Sequence, residues 1–590
     1  METRNPIAGL FAALASCLAV AGCTQPQPDA DVIVVGGGIA GLSAALEAGA
    51  AGRRVLVIDA NSVGGGHAVK AGGFALVGTP LQEKKGYRDS PEIAERDLLA
   101  WGEDADPEWV RRYVRASRTE VHDWLTGFGV RWGFILDTPE HSVPRFHFAN
   151  GSALNVVVPL MRAAFSQPNL QFRWNTEAVS LIRSNGAVTG VRVRDLRTGA
   201  SSDLMAPAVI IATGGRQSDL DFVRRNWRSD VPAPARLYAG AGYFALGSGI
   251  KLGTDAGAAT VRMDHQVTFT TGLPDPRDPT GSRALLGQNP SAIWVNIKGQ
   301  RFISETASTK VADNAVLSQT PATHWLVFDA DGLKTLRVRD AVWLGNPEGI
   351  EPLKKLGLIR QADSLAALAG AAGLPAAALE ATVARWNAAV LAGNDADFGR
   401  FAPGKPDAAA RQIGKPPYYA MQLFPLTRKS MGGLAIDANT RVVDDDGQPI
   451  PGLYAAGEVT GVAGINGSYG GEGTFLGPSV YLGRLAGQAD SRSGDRREPA
   501  SDPMAVPAPP EIKVSTDPAY RAMAVTLPPD ALPALIDAKR PGYWHFEVAH
   551  RIVGERGLDC TACHTPGWPT KPAASAAQRQ VQLNACDTCH

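Results

Sequence analysis

Net charge is missing from this 590-residue chain: 58 lysines and arginines are matched by 58 aspartates and glutamates. No basic excess marks a nucleic-acid partner, so none is expected. Cysteine is scarce as well, six in all, and each one already has a place. Cys17 and Cys23 lie in the N-terminal apolar segment, while Cys560, Cys563, Cys586 and Cys589 form two CxxCH units near the C-terminus. That allocation leaves none for a structural disulfide or a catalytic thiol. The apolar run Ile7–Gly22 is about 16 residues, short for a membrane span and typical of the core of an export signal. No twin-arginine pair precedes it.

Glycine is what the chain has in quantity, 64 residues, and its placement organises the rest. Asp31–Val35 is apolar after the aspartate and predicts a buried parallel strand. Gly36, Gly38 and Gly41 follow at dinucleotide spacing and open an alanine-rich helix. The first permits a tight turn, the second lets a pyrophosphate approach the backbone, and the third lets helix and strand pack closely. A second strand, Arg54–Ile58, ends on Asp59, the acid expected to bond ribose hydroxyls. Gly64-Gly65-Gly66 and Ala71-Gly72-Gly73 form a further glycine-rich stretch, placing Gly65, Gly66 and Gly73 near the diphosphate or the ring of the cofactor. Asn185-Gly186 marks a hairpin turn, and Val209–Gly215 predicts another buried strand, ending in the glycines Gly214 and Gly215.

Both ends carry signals of their own. Val20-Ala21-Gly22-Cys23 resembles a bacterial lipobox, which implies that residues 1–23 are a signal peptide and that Cys23 is a lipid anchor. The mature protein is then expected outside the cytoplasm, in the periplasm and on a bacterial membrane. Residues 491–530 are rich in proline and charge and predict a semi-extended linker. In residues 531–590, each CxxCH unit supplies two thiols to bind a haem covalently and a histidine to reach its iron. His564 and His590 are the proximal ligands, and His545 and His550 the candidate distal ones, with Met523 as a rival. Bis-histidine ligation favours a lower potential than methionine/histidine.

The glycine fingerprint, Ala212-Thr213-Gly214-Gly215, Gly247-Ser248-Gly249 and Ala455-Ala456-Gly457-Glu458 together resemble FAD-dependent flavoproteins of the fumarate reductase/succinate dehydrogenase superfamily, over residues 31–490. The resemblance implies an α/β fold: a Rossmann-like FAD-binding domain (31–245 and 415–490) split by an α+β capping domain (246–414). To this is added a small haem-organised C-terminal module. It also implies that Glu458 lies against the FAD. Flavocytochrome c fumarate reductases of this kind carry their haem module before the flavin domain, whereas here it follows.

At the substrate site the sequence departs from fumarate reductases. The segment matching their RFxNE is Arg301-Phe302-Ile303-Ser304-Glu305, and the place of their proton-donating arginine falls near Thr309. Their histidine before MGG is Lys429, and the late glycine-rich loop has Tyr469 where an arginine is expected. Those departures argue against fumarate. The late loop resembles 3-ketosteroid Δ1-dehydrogenases instead, through Tyr469, Gly473 and Gly477-Pro478. That resemblance implies that the Tyr469 hydroxyl and the Gly473 N–H hold a substrate carbonyl oxygen, with Lys429 a further catalytic candidate. The reading is an exported flavocytochrome c with FAD and two c-type haems. It acts on a CH–CH/C=C bond next to a carbonyl and exchanges electrons with a cytochrome or quinone-linked partner. Its rivals are a reductase of an unsaturated carboxylate, clamped by Arg428 and Lys429, and an electron-transfer protein without organic turnover.

Overall fold

Val32–Val35 (β1) and Val55–Ile58 (β2) consist of β-branched and leucine residues and are buried throughout, as strands covered on both faces must be. The helix Ile39–Ala50 (α1) joins them, and β1 pairs in parallel with β2 on one side and Ala208–Ile211 on the other. In strand order the six-stranded sheet runs Arg441–Val443, Pro449–Ala455, Ala208–Ile211, β1, β2 and Leu170–Arg173. The chain leaves β1 in one direction and returns on the other side of it. A crevice therefore opens beyond the carboxyl end of β1, where dinucleotides bind in folds of this kind. This computed structural model describes residues 28–491 except 62–63, 151–152, 197, 277, 279, 340–349 and 470. The lipobox with Cys23, the linker, His545, His550, His564, His590 and the four CxxCH cysteines lie outside the described residues.

The alanines of α1 serve packing. Helix Leu476–Ser491 lies against it so closely that a Cβ on Gly483 would stand 2.3 Å from the Ala40 carbonyl oxygen, and one on Gly487 2.3 Å from that of Ala44. Residues four apart share a helix face, so two glycines meet two alanines. This contact joins the start and end of the flavoprotein region.

A second, larger sheet is built around the 13-residue strand Tyr418–Ser430. His324–Phe328 pairs with one edge of that strand, and Gln266–Pro274, Ala284–Gln288 and Arg337–Arg339 follow in order from the other. One end of this long strand delivers Arg428 and Lys429 to the crevice. The alanine-rich segment forms the helix pair Leu365–Ala372 and Ala376–Ala392. Asn185-Gly186 turns a hairpin between Thr176–Ser184 and Ala187–Asp195, both turn residues having positive φ as a type I′ turn requires. The architecture is thus a mixed α/β flavoprotein fold.

Arg301 and Glu305 prove to be structural. The Arg301 guanidinium reaches Glu305 at 2.8 Å and Asp395 at 3.0 Å, with all three side chains at most 5% exposed. Arg400 adds a 3.2 Å contact to Glu305. Removing one member of so buried a network leaves uncompensated charge, at a cost of about 3–5 kcal/mol. These four residues form one buried ion-pair network at the edge of the cavity, which Glu305 also lines.

Candidate active site

Gly36 leaves β1 with φ of +108°, and a Cβ there would lie 2.4 Å from the Ala212 carbonyl oxygen. Gly41 is tighter still, since its Cβ would be 1.9 Å from the Gly36 oxygen. Gly38 differs, because a Cβ there would meet nothing within 4 Å, so its face is open to the cavity. Gly38 caps α1 without a side-chain hydrogen bond. The free N–H groups and the dipole of the first turn are therefore available to an anion. The second glycine turn lies directly beside the first, with Gly65 N–H donating to the Gly37 oxygen at 2.7 Å. Gly66 and Gly214 line the same cavity. Gly73 lines it too, and any side chain there would strike the His147 oxygen, 2.2 Å from its Cβ position.

Asp59 closes this end. Its carboxylate accepts the N–H groups of Gly37 and Asn61, each at 2.7 Å, and burial pushes its pKa up to about 6. A backbone cradle bounded by a helix N-terminus and a fixed, buried acid fits the ADP half of FAD.

The cavity, of about 800 Å³, continues from this cradle to the second sheet. Glu458 stands at the junction, where its Oε1 accepts the Ser430 N–H at 2.8 Å. Burial pushes its carboxyl up. A Cβ on Gly215 would be 2.5 Å from that oxygen, so glycine is needed to admit the acid.

Lys429 lies beside it in the cavity wall. Its Nζ stands 4.8 Å from the Phe475 ring centroid. No described carboxylate comes near enough to form an ion pair with it. Burial pulls its pKa below the ordinary lysine value, an effect that Glu472, Glu458 and Glu140 oppose from a distance. Glu472 is held in turn by two neighbours. Thr309, which begins helix Thr309–Leu317, donates its hydroxyl to Glu472 Oε1 at 3.1 Å, and His141 Nε2 lies 3.1 Å from the Glu472 carbonyl. Lys310 pairs with Glu103, so the same helix is tied to the flavin-binding side as well.

Gly473 follows with φ of +84° and its carbonyl bonded to the Ala75 N–H at 2.8 Å. A Cβ would stand 2.5 Å from that nitrogen. The N–H of Gly473 has no acceptor among the described residues, and Gly473 lines the cavity. Helix Leu476–Ser491 starts just beyond, with Leu476 also in the wall.

Tyr469 is placed differently. It is 8% exposed, packed against Val267 and Met431, and outside the lining of the large cavity. It faces a space of about 10 Å³ that Lys429 and Glu472 also border. Burial pushes its phenol well up, with Asp313 and Glu472 adding to this and the Thr309 hydroxyl working against it. Lys429 and Gly473 thus share a surface, and Tyr469 stands behind it. Glu472 and Thr309 were not singled out for a role by sequence reasoning. Their partnership joins positions 163 apart in the chain, and no local pattern announces it.

The family model described as an FAD binding domain matches residues 31–476. A cytochrome-type fumarate reductase of Shewanella frigidimarina is 33% identical over 477 residues, covering 79% of this chain and 77% of that protein. A KsdD-like steroid dehydrogenase of Mycobacterium tuberculosis is 31% identical over 551 residues, covering 80% of this chain and 97% of its own. Among solved structures, the open conformation of a flavocytochrome c3 fumarate reductase superposes with a TM-score of 0.64 at 28% identity, over 79% of each chain. The cradle, the cavity and these likenesses agree. The chain belongs to the FAD-binding flavoproteins of the fumarate reductase/succinate dehydrogenase superfamily and is an FAD-dependent oxidoreductase acting on CH–CH bonds.

Proposed function

We propose that this protein is an exported flavocytochrome c acting on a CH–CH/C=C bond next to a carbonyl, with a substrate other than fumarate. Lys429 carries this reading, as an ammonium with no ion-pair partner among the described residues, in the same wall as a Gly473 N–H with no described acceptor. Bound FAD supplies two-electron exchange with carbon. The Gly473 N–H donates to the carbonyl oxygen as negative charge grows there. Lys429 moves the proton at the α-carbon, giving it up when the double bond is reduced and taking it when the bond forms. Glu472, held by Thr309 and His141, keeps Lys429 in an acidic setting. Tyr469 braces Lys429 and Glu472 from behind and does not touch substrate. A carboxylate clamp of Arg428 and Lys429 is the rival reading, since both line the cavity, with Arg428 Nη1 donating to the Gly240 oxygen at 2.6 Å. The test is an anaerobic panel of enones, short enoates and 3-ketosteroids, offered to viologen-reduced protein for reduction and with a dye acceptor for oxidation. Turnover at ketone-conjugated bonds with none of fumarate is expected, and fumarate as the preferred substrate would overturn the reading.

The C-terminal proposal rests on the two CxxCH units, one c-type haem each, with His564 and His590 proximal and His545 and His550 distal. The cytochrome-type relative lends support by its name alone. These haems would serve one-electron exchange with a cytochrome or quinone-linked partner, from a position anchored at Cys23. Protein matured by a haem-attaching host is expected to hold about two haems per FAD. Exchanging Cys560 and Cys563 for alanine should halve that ratio and leave the FAD in place, as read by haemochrome and flavin absorbance. An unchanged ratio would refute attachment there.

A further inference from the structure

A second, smaller space lies against Lys429. It measures about 10 Å³ and is bordered by Lys429, Tyr469, Glu472, Asn466 and Val267, with apolar side chains over most of the rest. Lys429 and Glu472 also line the large cavity, so they belong to both walls. A buried water needs roughly 10–15 Å³ and two to four polar partners. The space meets the lower limit of size, and its border supplies the partners.

Lys429 has three N–H donors and no acceptor among the described residues. Its Nζ meets the Phe475 ring instead, 4.8 Å from the centroid. Glu472 Oε1 accepts the Thr309 hydroxyl at 3.1 Å, and no described donor meets its Oε2. The Thr309 hydroxyl also reaches the Tyr469 phenol, so phenol and carboxylate lie within two hydrogen bonds of each other. Asn466 takes no part, because Thr474 engages both ends of its amide. An ammonium held away from bulk water needs hydrogen-bond partners, and a water in this space is the partner that its surroundings allow. The reaction makes a further demand. Each turnover takes a proton from Lys429 or gives it one, and bound substrate covers Lys429 from the large cavity. The small space is the other approach to Nζ.

We infer that the small space is a water site, and that its water, held by Lys429, Tyr469 and Glu472, carries the proton that Lys429 exchanges with solvent. The inference deepens the proposed function and rests on the proton transfer assigned there to Lys429. During reduction the ammonium gives a proton to the α-carbon and becomes a neutral amine. The Glu472 carboxylate, which is partly exposed, takes a proton from solvent and passes it to the water as the water gives one of its own to Nζ. The water and Glu472 end as they began, and one solvent proton has been consumed. Oxidation runs the same steps backwards. Tyr469 is a positioning residue, whose hydroxyl fixes the water and exchanges no proton with substrate.

The first test is a high-resolution crystal structure of oxidised, full-length holoenzyme, as wild type and as Val267→Ile. Val267 stands directly opposite Lys429 in the sheet, and isoleucine adds one carbon to the border of the small space. A water within hydrogen-bond distance of Lys429 Nζ and the Tyr469 hydroxyl is expected in the wild type and not in the variant. A wild-type space without that water would overturn the site. The second test compares the first turnover with the steady state, using viologen-reduced protein and a ketone-conjugated substrate from the panel. The first flavin reoxidation uses the proton already on Lys429, whereas later ones depend on resupply. Val267→Ile and Tyr469→Phe should therefore lower steady-state turnover about tenfold or more, with the first reoxidation nearly unchanged. Equal slowing of both phases would assign the two residues to packing and overturn the relay, as would an unchanged steady state. An ordered water in protein that turns over no ketone-conjugated bond would leave the water site standing, while the proposed reaction and the relay with it fall.

Discussion

Replacing Lys429 with methionine is expected to lower turnover about 10²- to 10⁴-fold, the range for loss of a positioned proton donor, with FAD content unchanged. Methionine keeps the aliphatic length against Phe475 and removes only the titrating head. The pH profile makes the test specific. Burial holds the Lys429 ammonium below the ordinary lysine range, so the proton is lost at a lower pH than from a solvated lysine. If Lys429 donates during reduction, kcat falls as pH rises through that lowered value. Oxidation needs the neutral amine, so its rate rises through the same value. Lys429→Met should abolish both limbs, and Lys429→Arg, with a proton that is not given up, should keep charge without restoring turnover.

Stability should move the opposite way. A lysine with a depressed folded pKa binds fewer protons when folded than when unfolded. The wild type therefore gains stability as pH rises from the folded value to about 10.4. Below that window the buried ammonium costs stability, so Lys429→Met should melt at a higher temperature than wild type at neutral pH. Above the window the difference should vanish. A slower but more stable variant is the signature of a residue retained for chemistry at the expense of the fold, and a variant that is both slower and less stable would assign Lys429 a packing role.

The nucleotide half of the site was legible in the sequence because its logic is local. Gly36, Gly38, Gly41 and Asp59 fall within one βαβ unit, so the spacing alone brings them to one end of the cavity. Gly41 meets the Gly36 oxygen, Gly38 faces open space, and Asp59 is gripped by the first turn. The chemical half was legible only as residue types. Lys429 could be named, but its exposure to the cavity depends on a 13-residue strand whose neighbours in the sheet come from four separate parts of the chain. Tyr469 shows the limit most clearly. A glycine-rich loop pattern places it at the carbonyl, yet the loop turns at Asn466, which bonds the Thr474 carbonyl at 2.9 Å, so that Gly473 is in the cavity lining and Tyr469 is not. Arg301 and Glu305 read as part of a catalytic segment, but both are consumed by partners, Asp395 and Arg400, about a hundred residues further along. Long-range pairing of this kind leaves no periodicity to detect.

Two glycine substitutions separate binding of FAD from folding of its cradle. Gly41→Ala places a methyl carbon 1.9 Å from the Gly36 oxygen and 3.2 Å from Val34 Cγ1. The nearer obstacle is backbone, so relief requires α1 to move away from β1. That disturbs the close contact of α1 with Gly483 and Gly487. The expected result is near-complete loss of FAD together with a lower melting temperature. Gly38→Ala has room for its methyl within the protein, with no atom inside 4 Å, so the apoprotein should fold as the wild type does. The methyl nevertheless occupies the face through which a pyrophosphate approaches the uncapped start of α1. FAD content should therefore fall sharply in Gly38→Ala as well, and with it the stabilisation that saturating FAD provides, about 2.7 kcal/mol at a hundred times its Kd. Melting with and without added FAD distinguishes the two: Gly41→Ala is destabilised in both conditions, while Gly38→Ala matches wild-type apoprotein and fails to respond to the cofactor. A Gly38→Ala protein that retained FAD and its thermal shift would place the diphosphate elsewhere in the cavity, and the second glycine turn at Gly65 and Gly66 would then have to carry it.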